Sequence, residues 1–473
     1  MYKKIFKHSL IYALAPQMPK LVSIMILPIL TKYLTASDYG VSATIMAYTG
    51  LLGGIADLGL TLPIINAYYH HPTRWKIVWR ILHGYLLIWN FIFAIILFLV
   101  VYYAVPHEYK KNAILIATLY ALPSIFGGTL NVFASRYYQI IKRDPTYLGI
   151  VTAVTGSLGI LFNYVTIVHF RMGFMGWFWS NFLVSIISNL FWAYPVLFKL
   201  KIFPIFHIKK SYIFKQLSVA LPLIPHNYSS YLLNTSDRLV MSYYKMPLSN
   251  MGKYNFSYLF GNYFEFFGSA LGMAVGPATT ELIAAKNDKS DLKLRNLFFI
   301  LQSLFILIGF YCALWIKEIF QILVKNYDLK QSYPMAIIIL MSYTYRPMYW
   351  SVVNKLGFYE KTSQFWKIST LAGIINLLLN LIFIPIYGIW VAVITTFLSM
   401  LYLGFSGFAL ESFKSINKLK YYPMGWMCSI IIMTVFVYLL RDISVVQKSI
   451  LTVGGLLIAT TVLWKFKYLM LKK

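Results

Sequence analysis

The stretch APQMPKLVSIMILPIL, Ala15–Leu30, sets three prolines, Pro16, Pro19 and Pro28, and a cation, Lys20, inside the first long apolar run of the chain. An interior proline costs a soluble helix about 3 kcal/mol. A lysine at the centre of a bilayer span costs about 2.5–3.5 kcal/mol on insertion scales. A run that carries both is more than an anchor. Its counterpart lies far down the chain. In ALPLIPHNYSSYLLN, Ala220–Asn234, Pro222, Pro225 and His226 repeat the spacing of Pro16, Pro19 and Lys20. Each cationic or protonatable residue falls about ten residues, roughly 15 Å, into its predicted helix, near the midplane.

The correspondence extends onward. LTASDYG, with Gly40, follows the first stretch, and LSNMGKY, with Gly252, follows the second. Next, GGIAD ends at Asp57 and GNYFE at Glu265, so each acid lies four residues after a glycine. Internal repeats with broken helices and sites near the midplane mark transporters. Coincidence is the alternative, since prolines are frequent in membrane helices.

Composition sets the class. Of 473 residues, 59% are hydrophobic and 12% charged, against about 25% charged in soluble domains. The apolar runs extend from end to end and predict an all-α polytopic membrane protein. About fourteen spans of roughly 20 residues each fit the chain. The first is Leu10–Leu34, the second Tyr39–Ile65, the seventh Leu217–Tyr243, the eighth Tyr254–Ala284 and the tenth Pro334–Val353. IPIYGIW, Ile384–Trp390, divides one long run, with Pro385 and Gly388 as breakers. The first run is longer than a signal-peptide core and no A-x-A-like site closes it, so a retained helix is expected. Residues 1–198 form a six-helix bundle, 199–216 a basic cytoplasmic linker, 217–410 a second six-helix bundle, and 411–473 an extra helix pair with a basic tail.

The net charge of +28 fits loop charge rather than nucleic-acid binding. With the N-terminus inside, about 27 Lys and Arg fall in cytoplasmic segments and about 10 outside. Both termini are then cytoplasmic. There is no phosphate loop, no zinc-type spacing and no basic stretch of the kind that holds nucleic acid. Cys312 and Cys428 sit in separate apolar runs and offer neither a metal pair nor a disulfide framework. No external connection is long enough for the catalytic domain that a membrane glycan polymerase or ligase needs.

The segments LPILTKYLTASDYGVSA, Leu27–Ala43, and NTSDRLVMSYYKMPLSNMGKYNFSY, Asn234–Tyr258, resemble the first-span and seventh-to-eighth-span motifs of the polysaccharide flippases. These belong to the multidrug/oligosaccharidyl-lipid/polysaccharide exporter superfamily. The layout resembles theirs too: two six-helix bundles and an extra pair. The resemblance implies alternating access of two bundles around a central cavity in the bacterial cytoplasmic (inner) membrane. The substrate would be an undecaprenyl-pyrophosphate-linked oligosaccharide, moved to the outer leaflet for O-antigen, capsule or another polysaccharide. Membrane lipid and glycan polymerase or assembly proteins would be partners. No bound cofactor is implied; an H+ or Na+ gradient or the membrane potential would drive transport. Lipid II flippases and cation-coupled multidrug extruders of the superfamily share most of these features. One departure stands out: Lys20 in one half and His226 in the other differ in charge at neutral pH.

Four ionisable residues fall near mid-membrane: Lys20, His226, Glu265 and Arg346. Such groups usually face a cavity or a partner. Lys20 and Arg346 suit pyrophosphate oxygens, Arg bidentately; the alternative is pairing with Glu265 or a backbone carbonyl. His226 is a substrate contact or proton sensor, or else a packing residue. Asp57 and Glu265 are sites for a coupling cation or proton, or salt-bridge partners that gate. Asp237 and Arg238 lie some 30 Å into their span by helical rise. There they form a rim pair or external gate, or a solvated helix end. Arg136 lines the cytoplasmic entrance or snorkels. Pro16, Pro19, Pro222 and Pro225 are the hinges. NYFEFF, Asn262–Phe267, groups aromatics suited to sugar rings around an acid. The last helix pair offers a groove for a lipid tail, or packing alone.

Overall fold

The computed structural model describes residues 18–144, 146–207, 209–221, 224–455 and 457. Among these residues the regular structure is entirely helical. Among the described residues eight helices are long and apolar enough to cross a membrane: Trp75–Ala104, His107–Ile141, Thr146–His169, Met175–Lys199, Asp288–Leu314, Phe365–Tyr387, Ile389–Ala409 and Pro423–Asp442. The remaining predicted spans fall on shorter, interrupted or more polar helices, and the last runs beyond the described residues.

The first half contains α1 (Met18–Tyr33), α2 (Ala36–Gly53), α3 (Thr61–His70), α4 (Trp75–Ala104), α5 (Ala113–Arg136), α6 (Thr146–Asn163) and α7 (Met175–Ala193). The second contains α8 (Lys210–Ala220), α9 (Ile224–Asn234), α10 (Ser236–Tyr243), α11 (Leu248–Ala284), α12 (Asp288–Leu314) and α13 (Ile316–Leu323). It continues with α14 (Tyr333–Ser342), α15 (Arg346–Phe358), α16 (Phe365–Tyr387), α17 (Ile389–Phe405) and α18 (Pro423–Leu439). The first half has a core at each end. One gathers Trp79, Phe133 and Trp192, the other Val41, Phe93, Val101 and Phe178. A larger core runs through the second half and takes in Leu27 and Leu30 of α1.

Where the chain breaks, the cause is local. The predicted second span is not one helix. It stops at Gly53 and resumes at Thr61, because Leu58 and Gly59 take positive φ values of 49° and 69°. The Asp57 carboxylate holds the turn, accepting from the Gly59 N–H at 3.0 Å and the Thr61 hydroxyl at 3.0 Å. At the IPIYGIW turn the glycine alone breaks the helix. Gly388 takes φ 74°, while α16 runs through Pro385 to Tyr387. Proline at 385 denies the Leu381 carbonyl its helical donor, and the Tyr244 hydroxyl supplies one at 3.0 Å.

The tenth predicted span is also interrupted. α14 gives way to a 3-10 turn at Tyr343–Tyr345, and Pro347 stands at the start of α15. Buried Gln302 bridges the kink. Its amide donates to the Thr344 carbonyl at 2.9 Å, and its oxygen accepts from the Met348 N–H at 3.3 Å. Buried backbone groups freed by a kink need such partners. The bridge fixes Arg346 at the kink.

Two further features place the parts. The linker is bound to the first half: the Arg80 guanidinium donates to the Phe203 carbonyl at 3.1 Å, and the Ile205 N–H to the Arg80 carbonyl at 3.0 Å. The last helix pair is clasped to the α12–α13 corner. Lys448 bonds both Glu318 oxygens at 2.8 Å, and Trp315 donates to Thr452 at 3.0 Å.

Candidate functional site: a polar ladder along the longest helix

α11 is the longest described helix, and it crosses α2 at paired glycines. A Cβ on Gly40 would lie 2.0 Å from the Leu248 carbonyl oxygen, and one on Gly252 would lie 1.7 Å from that of Ala36. Only glycine lets the two backbones touch there. Farther along α2, Gly50 and Gly54 make room for the rings of Tyr231 and Tyr228 of α9. Those hydroxyls donate to the Ala47 and Leu51 carbonyls at 2.8 and 2.6 Å. The two halves are thus joined along α2 by backbone contact and by tyrosine hydroxyls.

One face of α11 carries a ladder of polar side chains at helical spacing: Tyr254, Tyr258, Asn262 and Glu265. At its first rung Asp237 and Arg238 form a buried pair at 2.8 Å, with side chains 0% and 6% exposed. The Tyr254 hydroxyl donates to the Asp237 carboxylate. The Arg238 guanidinium lies 4.2 Å from the Tyr258 ring centroid and 4.9 Å from that of Tyr254, and it donates to the Asn234 carbonyl at 2.6 Å. Tyr258 meets Tyr343 edge-on, and the Tyr343 hydroxyl donates to Asn262 at 3.4 Å. Arg346 lies over the Tyr343 ring and donates to Glu265 at 2.5 Å. Gly268 and Gly272 let this arm approach, meeting Arg346 and Trp350 at 3.2 and 2.8 Å from their would-be Cβ atoms.

The ladder is closed at one end and open at the other. Arg346 and Glu265 are 17% and 30% exposed, and Arg346 Nε is buried without a hydrogen-bond partner among the described residues. A guanidinium has five donors, and the bond to Glu265 uses one of them. The Asp237–Arg238 pair is fully engaged and rigid. Its place is therefore not a solvated helix end: burial by two tyrosines and by α16–α17 overrides its position near the helix terminus, and Tyr254 also approaches Thr396 at 3.3 Å.

The other predicted site residues disperse. Asp57 sits in the turn after α2, where capping occupies its carboxylate. Arg136 ends α5 and donates to Gln139 at 2.6 Å, within its own turn. Pro225 is the exposed second residue of α9. Pro19 and Lys20 fall in the first turn of α1, but the Lys20 and His226 side chains lie outside what the structure describes, as do Pro16 and Pro222. Lys20 stands one turn before Ser23, whose hydroxyl is 3.5 Å from that of Tyr263. Sequence reasoning missed Tyr254, Tyr258, Tyr343 and Gln302. The i, i+4 spacing of Tyr254 and Tyr258, facing an acid–base pair, was the available signal for two of them. Among the described residues no group of three or more His, Cys, Asp or Glu side chains could hold a metal.

A family model described as "Polysaccharide biosynthesis protein" matches residues 5–283. No curated protein matches. Among solved structures, a mutant of the Vibrio cholerae MATE transporter VcmN is similar with TM-score 0.57 at 14% identity, covering 87% of this chain and 96% of that one. VcmN in its bent form is similar with TM-score 0.52 at 14% identity, covering 89% and 98%. An inward-facing multidrug resistance MATE family transporter of the MOP superfamily is similar with TM-score 0.57 at 15% identity, covering 85% and 98%. Those likenesses are of fold. The family model covers more than half of the sequence, so the chain belongs to the polysaccharide biosynthesis protein family, on the fold of MOP-superfamily transporters.

Proposed function

We propose that the protein is a flippase. It carries an undecaprenyl-pyrophosphate-linked oligosaccharide from the cytoplasmic to the outer leaflet of a bacterial inner membrane, by alternating access of its two halves. The chain then makes fourteen crossings with both termini inside. The observation that carries the reading is the partly exposed pair of Arg346 on α15 and Glu265 on α11, in a chain of the polysaccharide biosynthesis family. A pyrophosphate cannot cross hydrocarbon unaided, because each oxygen would lose its water. A guanidinium already held by one carboxylate can exchange that partner for phosphate oxygens without ever being left bare. In this orientation the Gly40–Gly252 crossing joins the two halves on the external side.

The driving force is either an H+ or Na+ gradient read by Glu265, or the membrane potential alone. Outward movement of a dianionic head group with the inside negative gains about 2.3 kcal/mol per charge per 100 mV. No cofactor and no nucleic acid enter the scheme. Glycan polymerase and assembly proteins would take the product.

The test is reconstitution. Purified protein in liposomes is loaded on one leaflet with lipid-pyrophosphate oligosaccharide, and its arrival on the other is read by an impermeant glycosidase. Transfer above protein-free liposomes supports the reading. Transfer of lipid II alone, or cation-driven drug movement with no glycolipid transfer, overturns it.

A further inference from the structure

From Pro145 to Ser236 the sequence holds no Asp or Glu. Within that acid-free stretch the linker FKLKIFPIFHIKKSYIFKQ, Phe198–Gln216, alternates aromatics and lysines. One side of it is fixed. Besides the Arg80 bonds, the buried His83 ring nitrogen Nδ1 bonds the Ile202 carbonyl at 2.7 Å. A Cβ on Gly84 would lie 2.1 Å from the Ile205 carbonyl oxygen, so the linker backbone lies directly on α4. Ile202, Ile213 and Ala220 then join the core with Trp79 and Phe133.

The rest of the linker presents side chains with no partner among the described residues. Phe203, Phe206 and Phe214 are 47%, 60% and 70% exposed. Lys209, Lys210 and Lys215 are exposed beside them. Isolated exposed apolar residues need no explanation. Three exposed phenylalanines and three exposed lysines within one pinned linker, with no acid in the surrounding stretch, do. Aromatic rings and cations together suit one medium, the interface between acyl chains and anionic headgroups. An acidic protein would match the lysines but leave the phenylalanines in water.

We propose that this linker face is a lipid-binding surface, seated in the cytoplasmic leaflet. Phe203, Phe206 and Phe214 enter the acyl boundary, and Lys209, Lys210 and Lys215 bind anionic phospholipid headgroups. Because the opposite side is fastened to α4, the lipid holds the first half of the protein in place while the second half moves. The proposal rests on the cytoplasmic placement of the linker and not on the transported substrate.

Two measurements on the full chain test it. In native mass spectrometry from an equal mixture of phosphatidylglycerol and phosphatidylcholine, wild-type protein retains phosphatidylglycerol preferentially. The triple variant Lys209→Gln, Lys210→Gln, Lys215→Gln lowers that preference by at least about five-fold. A control triple at Lys414, Lys418 and Lys420 leaves it unchanged. Equal loss in the control, no loss in the linker triple, or retained lipid that proves to be pyrophosphate-linked overturns the proposal. Second, a spin label at Phe214→Cys, with Cys312→Ser and Cys428→Ser, shows greater collision with oxygen than with a water-soluble nickel complex. The reverse pattern places Phe214 in water and overturns it, including in favour of an acidic protein partner.

Discussion

Gly40 packs on the backbone of Leu248, four residues before Gly252, and Gly252 packs on the backbone of Ala36, four residues before Gly40. The contact is reciprocal, as a pseudo-two-fold between repeats requires. It joins the two glycines that the sequence repeat sets in correspondence. A methyl at Gly252 meets a carbonyl oxygen, which cannot rotate aside. Overpacking of this kind costs about 1–3 kcal/mol. Here it weighs on one conformation, so Gly252→Ala shifts the equilibrium from the closed crossing by about five- to 150-fold. Thr44, buried in this contact and bonded to Met251 at 3.8 Å, reports it. With Thr44→Cys in a background lacking Cys312 and Cys428, labelling by an impermeant maleimide rises in Gly252→Ala. Labelling as slow as in the parent refutes the role of the crossing.

Arg346 and Glu265 bond each other, so a loss of activity on mutation does not by itself separate substrate binding from mere pairing. A charge exchange does. If the pair is structural, Glu265→Arg with Arg346→Glu restores what either single change removes. If Arg346 binds pyrophosphate from its place at the kink, the exchange leaves glycolipid transfer at background while restoring thermal stability. The second outcome is expected, and recovery of transfer in the double variant refutes it. Glu265→Gln alone is expected to abolish any dependence of transfer on an ion gradient; persistence of that dependence excludes Glu265 as the sole coupling group.

Asp237, Arg238 and Tyr254 form the sealed rung of the ladder, and removing one charge from a buried pair strands the other. Asp237→Asn is expected to lower stability by about 3–5 kcal/mol. Tyr254→Phe removes one hydroxyl donor to the carboxylate and costs less, about 1–2 kcal/mol. Thermal unfolding of the purified protein in detergent ranks the two. Equal melting of Asp237→Asn and wild type refutes a rigid pair.

Much of this was legible from sequence, and the failures have identifiable causes. Hydropathy finds apolar runs but not helix ends inside them. GGIADLGLTLP is apolar enough to read as one span, yet Leu58 and Gly59 turn the chain with positive φ, and Asp57 caps that turn. Pro385 reads as a breaker by local rules, but Tyr244 satisfies the carbonyl it frees, a tertiary remedy that no local rule sees. The lateral burial of Asp237 was not readable, because that depends on which face of α11 brings Tyr254 and Tyr258 across. The glycine pair of the repeat was legible because close backbone contact admits only glycine, and that constraint is written into single positions.

Lys20 follows the second proline of the first repeat, and the backbone sets it one turn before Ser23, which meets Tyr263 two residues from Glu265. Under the proposed function this puts a second cation on the route of the head group. Lys20→Ala is expected to abolish glycolipid transfer while the protein still inserts and purifies, and Lys20→Arg to retain part of it. Normal transfer by Lys20→Ala removes Lys20 from the substrate path.

Lys448 fastens the last helix pair to the second half. Its side chain is fully buried, its ammonium bonds both oxygens of Glu318, itself 16% exposed, and it donates to the Arg441 carbonyl at 2.8 Å. Replacing it with methionine keeps the bulk and strands the carboxylate. The cost of breaking such a pair is about 3 kcal/mol at its lower bound. Replacing both partners, Lys448→Met with Glu318→Gln, removes the stranded charge and is expected to recover most of that loss, since buried pairs contribute little against neutral replacements of similar volume. Melting curves of the two variants decide it. If Lys448→Met melts with wild type, the pair is not the clasp, and the contact between Trp315 and Thr452 must hold the helices instead.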